Sequence, residues 1–449
     1  MMELTGKRVM VLGVGKTGIA VARFLLNQGA KVVVTDLKPR EEINRSLELL
    51  GDQAAQVAVL EYHEKSLARV DLVIPSPGVA PVDRILLAAI NAGVLIISEI
   101  ELAAGYLLKP LVAITGTNGK TTTVSLLGEI LRKSGRSVFV GGNIGTPLIE
   151  FVNGGQQEDY VVAEVSSFQL QWVRFFRPQV AILLNVTDDH ADYHGAFARY
   201  REIKERIFEN QQANDLAIIN AGEESAIPLS GRRVSRQAFF SARIARHPGM
   251  FLQGERIIYE DAAGAREEYP LDMIKIPGRH NIENVMSAVI AAREWGCRPQ
   301  EIIEAVRSFR GIAHRIEYAG EKGGVTFYDD SKGTNVGAVQ RAIETFARPI
   351  LLLMGGRDKD SDFRPLAPFL PGRVKELVTF GEAGDKIAST LKGVVKTRTT
   401  KGLEDAVREA YRDSAAGDVI LLSPGCASFD EFSDYRERGR FFKDVVKYL

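Results

Sequence analysis

A chain of 449 residues is long enough for about three domains of ordinary size, and its 45% hydrophobic and 25% charged residues are a normal globular balance. Lysine plus arginine and aspartate plus glutamate both number 57. This excludes a nucleic-acid partner drawn by an overall basic field, so anionic ligands must be held by local features.

The chain opens on "KRVMV", a strand with no signal-peptide pattern before it. Short apolar runs then alternate with helical patterns to the far end, the mark of α/β architecture with parallel sheets. The longest runs, such as "VAILLNV" and "ILLLMGG", are too short to span a membrane and read as buried strands. Two cysteines, Cys297 and Cys426, lie far apart in no metal-like spacing, which reads as a reduced, cytoplasmic setting.

The opening strand ends in "LGVGKTG". Gly13, Gly15 and Gly18 there take the G-x-G-x-x-G spacing at a strand-to-helix turn. Such a turn brings a pyrophosphate to a helix N-terminus. Asp36 closes the next strand, "KVVVTD", as if for a ribose hydroxyl, and Ser76 ends a neighbouring strand in "SPG". Taken alone, this unit reads as part of a nicotinamide-dependent dehydrogenase. A break falls near residues 98–110, ahead of a new strand, "LVAIT".

That strand leads into "ITGTNGKTT". A glycine-rich turn entering a helix offers the backbone N–H groups of Gly116, Thr117, Asn118, Gly119 and Thr122 to phosphate. Lys120 supplies charge, and the Thr121 hydroxyl is a ligand for Mg2+. Ile114 stands where the usual loop has its first glycine, so this is a shortened variant. The plainer reading is a glycine turn that only starts a helix. Glu164, at the end of "YVVAE", faces the loop from a neighbouring strand or is a solvated turn residue. His190 and His194 in "TDDHADYH" are four apart without H-E-x-x-H, which argues against zinc; a place beside Mg2+ and a structural hydrogen bond are equal readings.

Phe197, Tyr200 and Lys204 fall at helical spacing in "FARYREIKERIF". A lysine there most often snorkels. The rarer reading is a buried amine, driven toward its neutral form, that takes up carbon dioxide as a carbamate and turns a cation into a metal-site anion. The alternation is less regular over 220–275, and a third unit starts near "AHRIEYAG", with strands in "VTFYDDS", "PILLLMGG", "ELVTFG" and "DVILLSPG".

In that order, "GTNGKTT", "EVSSFQL", "VTDDHADYHG", "GRHNIEN", "HRIE" and "DDSKGTN" resemble the motifs of the Mur ligases of peptidoglycan synthesis, over essentially the whole chain. The resemblance implies an α/β protein of three domains. They are a Rossmann-like N-terminal domain at 1–98, a central P-loop-type ATPase domain with a parallel sheet at 99–312, and a Rossmann-like C-terminal domain at 313–449. "DDSKGTN" with "LLSPGCASFDEF" is similar to the branch that adds D-glutamate.

The implied reaction uses ATP and two Mg2+ ions. The L-alanine carboxylate of UDP-N-acetylmuramoyl-L-alanine is phosphorylated, and the amine of D-glutamate attacks the acyl phosphate through a tetrahedral intermediate. The implied setting is a cytoplasmic monomer that serves cell-wall biogenesis and division, with small-molecule substrates and no nucleic-acid or membrane partner.

Residue roles follow from the same resemblance. Lys120 and Thr121 match the loop lysine and hydroxyl, Glu164 and His190 the metal positions, and Lys204 the carbamylated lysine. Lys332 matches the lysine near the transferred phosphate, and Asn281, Arg315 and Asp330 match nucleotide contacts. Gly15, Lys16, Thr17, Gly18, Asp36 and Ser76 fall to the UDP end of the substrate, Asn143 and Ser166 to its muramoyl end. Thr334, Lys359, Ser428, Phe429 and Tyr435 match the D-glutamate pocket. Tyr435 replaces a phenylalanine and Phe429 an aliphatic residue, which changes the fine shape of that pocket. The rivals are the dehydrogenase, a Mur-type or folylpolyglutamate-type ligase for another amino acid, and a non-catalytic nucleotide-binding regulator.

Overall fold

The computed structural model describes residues 2–187, 197–222, 235–358 and 361–449. Among them three sheets form. The first holds β1 (Arg8–Leu12), β2 (Lys31–Thr35), β3 (Ala58–Val59), β4 (Leu72–Pro75) and β5 (Leu95–Ile96). It is parallel throughout, in the order β3-β2-β1-β4-β5. The order reverses between β1 and β4, so a crevice opens beyond Leu12 and Pro75, where open α/β sheets take ligands.

The second sheet has nine strands: β6 (Leu111–Thr115), β7 (Val138–Gly142), β8 (Tyr160–Glu164), β9 (Val180–Leu183), β10 (Leu216–Asn220), β11 (Arg236–Ser241), β12 (Gly249–Gln253), β13 (Arg256–Glu260) and β14 (Arg266–Pro270). Their order is β14-β13-β12-β11-β10-β9-β6-β8-β7. The less regular 220–275 region thus extends this sheet, and β12, β13 and β14 pair antiparallel at its edge. Strand β6 is buried along its whole length, as a strand covered on both faces requires.

The third sheet holds β15 (Glu317–Lys322), β16 (Val325–Asp329), β17 (Ile350–Gly355), β18 (Val374–Phe380), β19 (Thr397–Thr399) and β20 (Val419–Gly425). Its order is β15-β16-β20-β17-β18-β19, with only β15 antiparallel.

These sheets fall into two compact units, Met1–Met273 with Ile282–Ser308, and Ile274–Asn281 with Phe309–Leu449. The stretch that reads as a break in the sequence explains why the first unit contains two sheets. Residues Glu99–Ala104 form a helix whose Ile100, Leu102 and Ala103 are buried in one core with β1, β2, β6 and β8. Ile100 and Leu102 each contribute about 1.5–3 kcal/mol by leaving water, Ala103 less. Among the described residues, no helix is long and apolar enough to cross a membrane.

Candidate active site

Strand β6 ends at Thr115, and the helix Lys120–Lys133 starts after a four-residue loop. Gly119 caps it at φ 82°, and a Cβ there would sit 2.3 Å from Asn284 Oδ1. Only glycine fits both the left-handed backbone and the asparagine behind it. The loop is held from β9 onward: Thr117 N donates to Asn185 O (2.9 Å), and Asn118 N to Asn185 Oδ1 (2.9 Å). Thr117 Oγ1 donates to Thr187 O (3.2 Å) and lies 3.3 Å from the Tyr200 hydroxyl. The buried Asn118 Nδ2 has no hydrogen-bond partner among the described residues. A buried donor without a partner in a glycine loop fits an anionic guest.

Glu164, at the end of β8, is buried beside the start of this helix. Its Oε2 accepts from Thr121 Oγ1 (2.7 Å) and its Oε1 from Asn143 Nδ2 (2.9 Å). Of the two sequence readings, a solvated turn is therefore excluded. A carboxylate and a hydroxyl so close together are the hard oxygen ligands that suit Mg2+. Ser166, two residues on, caps the short helix Ser167–Leu170 and forms a capping box with Gln169.

Lys204 lies on the helix Phe197–Glu205 and is 1% exposed, so it does not snorkel. Its Nζ donates to Gly116 O (3.0 Å) and lies 4.6 Å from the Tyr200 ring centroid. Lys120 Nζ donates to the same Gly116 O (2.8 Å) and to Thr117 O (3.0 Å). His190, with His194, lies outside the described residues, as does Lys359.

At the first sheet the three glycines have different reasons. Gly13 has φ 96°, and Gly18 lets its helix pack on the turn, since a Cβ there would lie 2.0 Å from Gly13 O. A Cβ on Gly15 would meet nothing within 4 Å, although Gly15 caps the helix Lys16–Asn27. Ser76 Oγ donates to Gly13 O (3.0 Å). The Asp36 carboxylate accepts from Val14 N (2.8 Å) and Lys38 N (3.1 Å), so it braces the turn. Lys16 Nζ donates to Gly145 O (2.6 Å), which ties this turn to the loop of Asn143. Thr17 is half-buried in the first turn of that helix.

The second unit gathers a separate set at the ends of β16, β17 and β20. Asp330 Oδ2 accepts from Ser423 Oγ (2.7 Å). Burial pushes the Asp330 carboxyl up to about 7, against the Ser423 hydroxyl and the charge of Arg315. Lys332 Nζ lies 5.3 Å from the Tyr435 ring centroid. Gly425 N donates to Gly333 O (2.8 Å), which stitches the Lys332–Thr334 loop to the strand end that leads to Ser428. Ser428 is buried, Thr334 half-buried and Phe429 55% exposed. Asn281 belongs to this unit and donates from Nδ2 to Pro277 O (2.6 Å).

Sequence reasoning misses Arg438. It is fully buried, and burial lowers its pKa to about 10. Its guanidinium donates to Ser331 Oγ (3.0 Å), Ser331 O (2.9 Å), Cys426 O (3.0 Å) and Ala427 O (3.1 Å). It therefore locks the loop of Lys332 to the loop of Ser428. In sequence it is one of three arginines in "DYRERGRFFKD", and the only hint is the glycine after it.

Family models match along the chain. "Mur ligase MurD-like, N-terminal domain" matches residues 7–98, "Mur ligase middle domain" 114–292, and "Mur ligase, glutamate ligase domain" 314–426. The chain belongs to the Mur ligase family. Among curated relatives, the UDP-N-acetylmuramoylalanine--D-glutamate ligase of Syntrophus aciditrophicus is 55% identical over 447 residues, 99% of each chain. The ligase of that name from Koribacter versatilis is 43% identical over 99% of this chain and 98% of its own. Among solved structures, the MurF ligase of Thermotoga maritima in complex with ADP shares the fold with a TM-score of 0.59. It is 18% identical, over 100% of this chain and 97% of that one.

Proposed function

We propose that this chain is an ATP-dependent ligase that joins D-glutamate to UDP-N-acetylmuramoyl-L-alanine, in the cytoplasm and as a monomer, for peptidoglycan synthesis. The observation that carries the reading is the Thr121–Glu164 hydrogen bond beside the glycine turn, in a chain that aligns end to end with ligases of that name.

A carboxylate is a poor electrophile. Its attack on the γ-phosphorus of ATP expels ADP and makes an acyl phosphate with a good leaving group. The neutral amine of D-glutamate then adds to the carbonyl carbon, the tetrahedral intermediate expels phosphate, and the amine gives up a proton. The protein's task is to gather anions and stabilise spreading charge. In this reading the Gly116–Thr122 backbone and Lys120 cradle the ATP phosphates. Thr121, Glu164, His190 and a carbamate on Lys204 hold Mg2+, which when bound offsets phosphate charge. Asn281, Arg315 and Asp330 meet the nucleotide, and Lys332 the transferred phosphate.

Gly15, Lys16, Thr17, Gly18, Asp36 and Ser76 form the UDP end, and Asn143 and Ser166 the muramoyl end. The open space over Gly15 supports a diphosphate there, because no protein atom needs it. Thr334, Lys359, Ser428, Phe429 and Tyr435 receive D-glutamate, whose two carboxylates suit a lysine and hydroxyls. Domain boundaries near 98 and 312 belong to the same proposal.

The test is phosphate release from ATP with UDP-N-acetylmuramoyl-L-alanine, Mg2+ and a panel of amino acids. Release that requires D-glutamate is expected. Release without amino-acid dependence, or with preference for a diamino acid, overturns the reading.

A further inference from the structure

We propose that Glu99 is a positioning residue for Ser166, and that it fixes which hydrogen bond the Ser166 hydroxyl offers to the substrate. The inference rests on the assignment of Ser166 to the muramoyl end of the substrate.

Ser166 N, a donor, lies 3.0 Å from Gln169 Oε1, so the amide oxygen must face Ser166 and Nε2 must point away. Pointing away, Nε2 meets Glu99 Oε2 at 3.4 Å. The other oxygen of Glu99 accepts from Ile149 N at 2.7 Å. Thus Ile149 N reaches one oxygen and Gln169 Nε2 the other, with the backbone N–H of Leu148 as a third donor, on a side chain that is 1% exposed. Only a carboxylate, an acceptor at both oxygens, satisfies them. A neutral amide at this position must turn its NH2 toward one of them.

The orientation passes on to the hydroxyl. Ser166 Oγ lies 3.1 Å from Gln169 Oε1, which only accepts, so the hydroxyl proton is committed there. Gln169 N donates back to Oγ at 3.3 Å. What Oγ has left is one lone pair. It offers a ligand an acceptor, suited to an N–H donor such as the amide that joins alanine to the muramoyl group.

The helix of Glu99 secures the other end of the same segment. Glu101 accepts from Arg174 N (3.0 Å), Phe175 N (2.8 Å) and Phe176 N (2.9 Å), and Ser98 N donates to Trp172 O (2.9 Å). Burial pushes Glu99 up to about 7, while its bonds from Ile149 and Gln169 pull it back and Glu150 adds to the rise. An assay at about pH 8.5 keeps the carboxylate ionised.

The test is a polarity swap. Glu99→Gln should raise KM for the UDP-muramoyl substrate about tenfold, as the loss of one buried hydrogen bond does, with kcat and the KM for ATP unchanged. Gln169→Glu added to Glu99→Gln restores complementarity with donor and acceptor exchanged. The carboxylate at 169 accepts from Ser166, and the amide at 99 donates to it while accepting from Ile149. The double variant should regain most of the lost affinity. Amide exchange at Ile149 and Ser166 should speed up in the single variant and slow again in the double.

An unchanged KM in the single variant, or a double variant no better than the single, overturns the inference. Failure of the underlying assignment looks different. Ser166→Ala then leaves the substrate KM at the wild-type value while exchange still follows the swap, which removes the substrate role and this inference with it.

Discussion

Lys120 and Lys204 place their amine nitrogens on one acceptor, Gly116 O, at 2.8 and 3.0 Å. One lysine starts the helix after the glycine turn, and the other comes from the buried face of a helix 84 positions later in the chain. Two amines crowded on one carbonyl, one of them buried, disfavour holding both charges there, which drives the buried Lys204 toward its neutral, nucleophilic form. The carbamate proposed for Lys204 would form from that neutral amine and place a negative charge beside the proposed Mg2+ site. Lys204→Ala should therefore lower kcat about a hundredfold or more, and added acetate should restore part of it. Lys120→Ala should fall as far and gain nothing from acetate. Full activity in Lys204→Ala refutes the role.

The glycine turn of the first sheet separates packing from binding. Gly15→Val places its side chain in open space, whereas Gly18→Ala drives a methyl into Gly13 O. The expected outcome is that Gly15→Val keeps the wild-type melting temperature and loses UDP binding measured by calorimetry. Gly18→Ala should be destabilised by a few kcal/mol or more, since backbone cannot yield as a flexible side chain does. Equal UDP affinity in Gly15→Val and wild type ends the assignment of this turn to a diphosphate. Nicotinamide cofactors should bind neither protein.

Local signals carried the fold well. Strands β1, β2, β6, β16, β17 and β20 are apolar runs that end in or lead into glycine or aspartate, and β8 ends in glutamate, so periodicity and turn chemistry reveal both the strand and its functional end. Short edge strands such as β3 and β19 carry no such run. The helix Glu99–Ala104 passes for a break because its burial depends on sheets far away in sequence.

At the site, glycine loops and Lys-Thr pairs announce themselves. Glu99, Asn185 and Arg438 do not, because their partners are backbone groups or amides brought close only by folding. The second carboxylate of "SEIELAA", Glu101, looks like a surface charge in sequence and instead receives three backbone N–H groups.

Arg438 bears the second of those lessons. Its guanidinium donates to carbonyls at Ser331, Cys426 and Ala427; Ala427 O keeps Arg357 N as a donor, so Arg438→Met leaves the Ser331 and Cys426 carbonyls short of theirs. The loss should be about 2–5 kcal/mol, at about 1–3 kcal/mol for each buried acceptor left unpaired. Thermal melts report this directly. Because the same bonds hold the loops of Lys332 and Ser428, folded variant protein should also show a raised KM for D-glutamate with little change in the KM for ATP. A variant as stable as wild type shows that the loops hold without the clamp.

Asp330 gives the chain a pH dependence whose sign can be worked out. Its folded carboxyl is pushed from 3.8 up to about 7 by burial. Between those values the native state holds a proton that the unfolded chain releases, so stability falls as pH rises. The contribution is complete below about pH 4 and is lost as pH climbs through 7, with an upper bound of about 4 kcal/mol. Asp330→Asn keeps an acceptor for Ser423 and does not titrate. Relative to wild type, its melting temperature should therefore improve steadily from pH 5 to about pH 8. Ser423→Ala removes a hydrogen bond that favours the anion, so it should push the wild-type transition to still higher pH. A difference between Asp330→Asn and wild type that does not vary with pH means that this carboxyl titrates as it does in the unfolded chain.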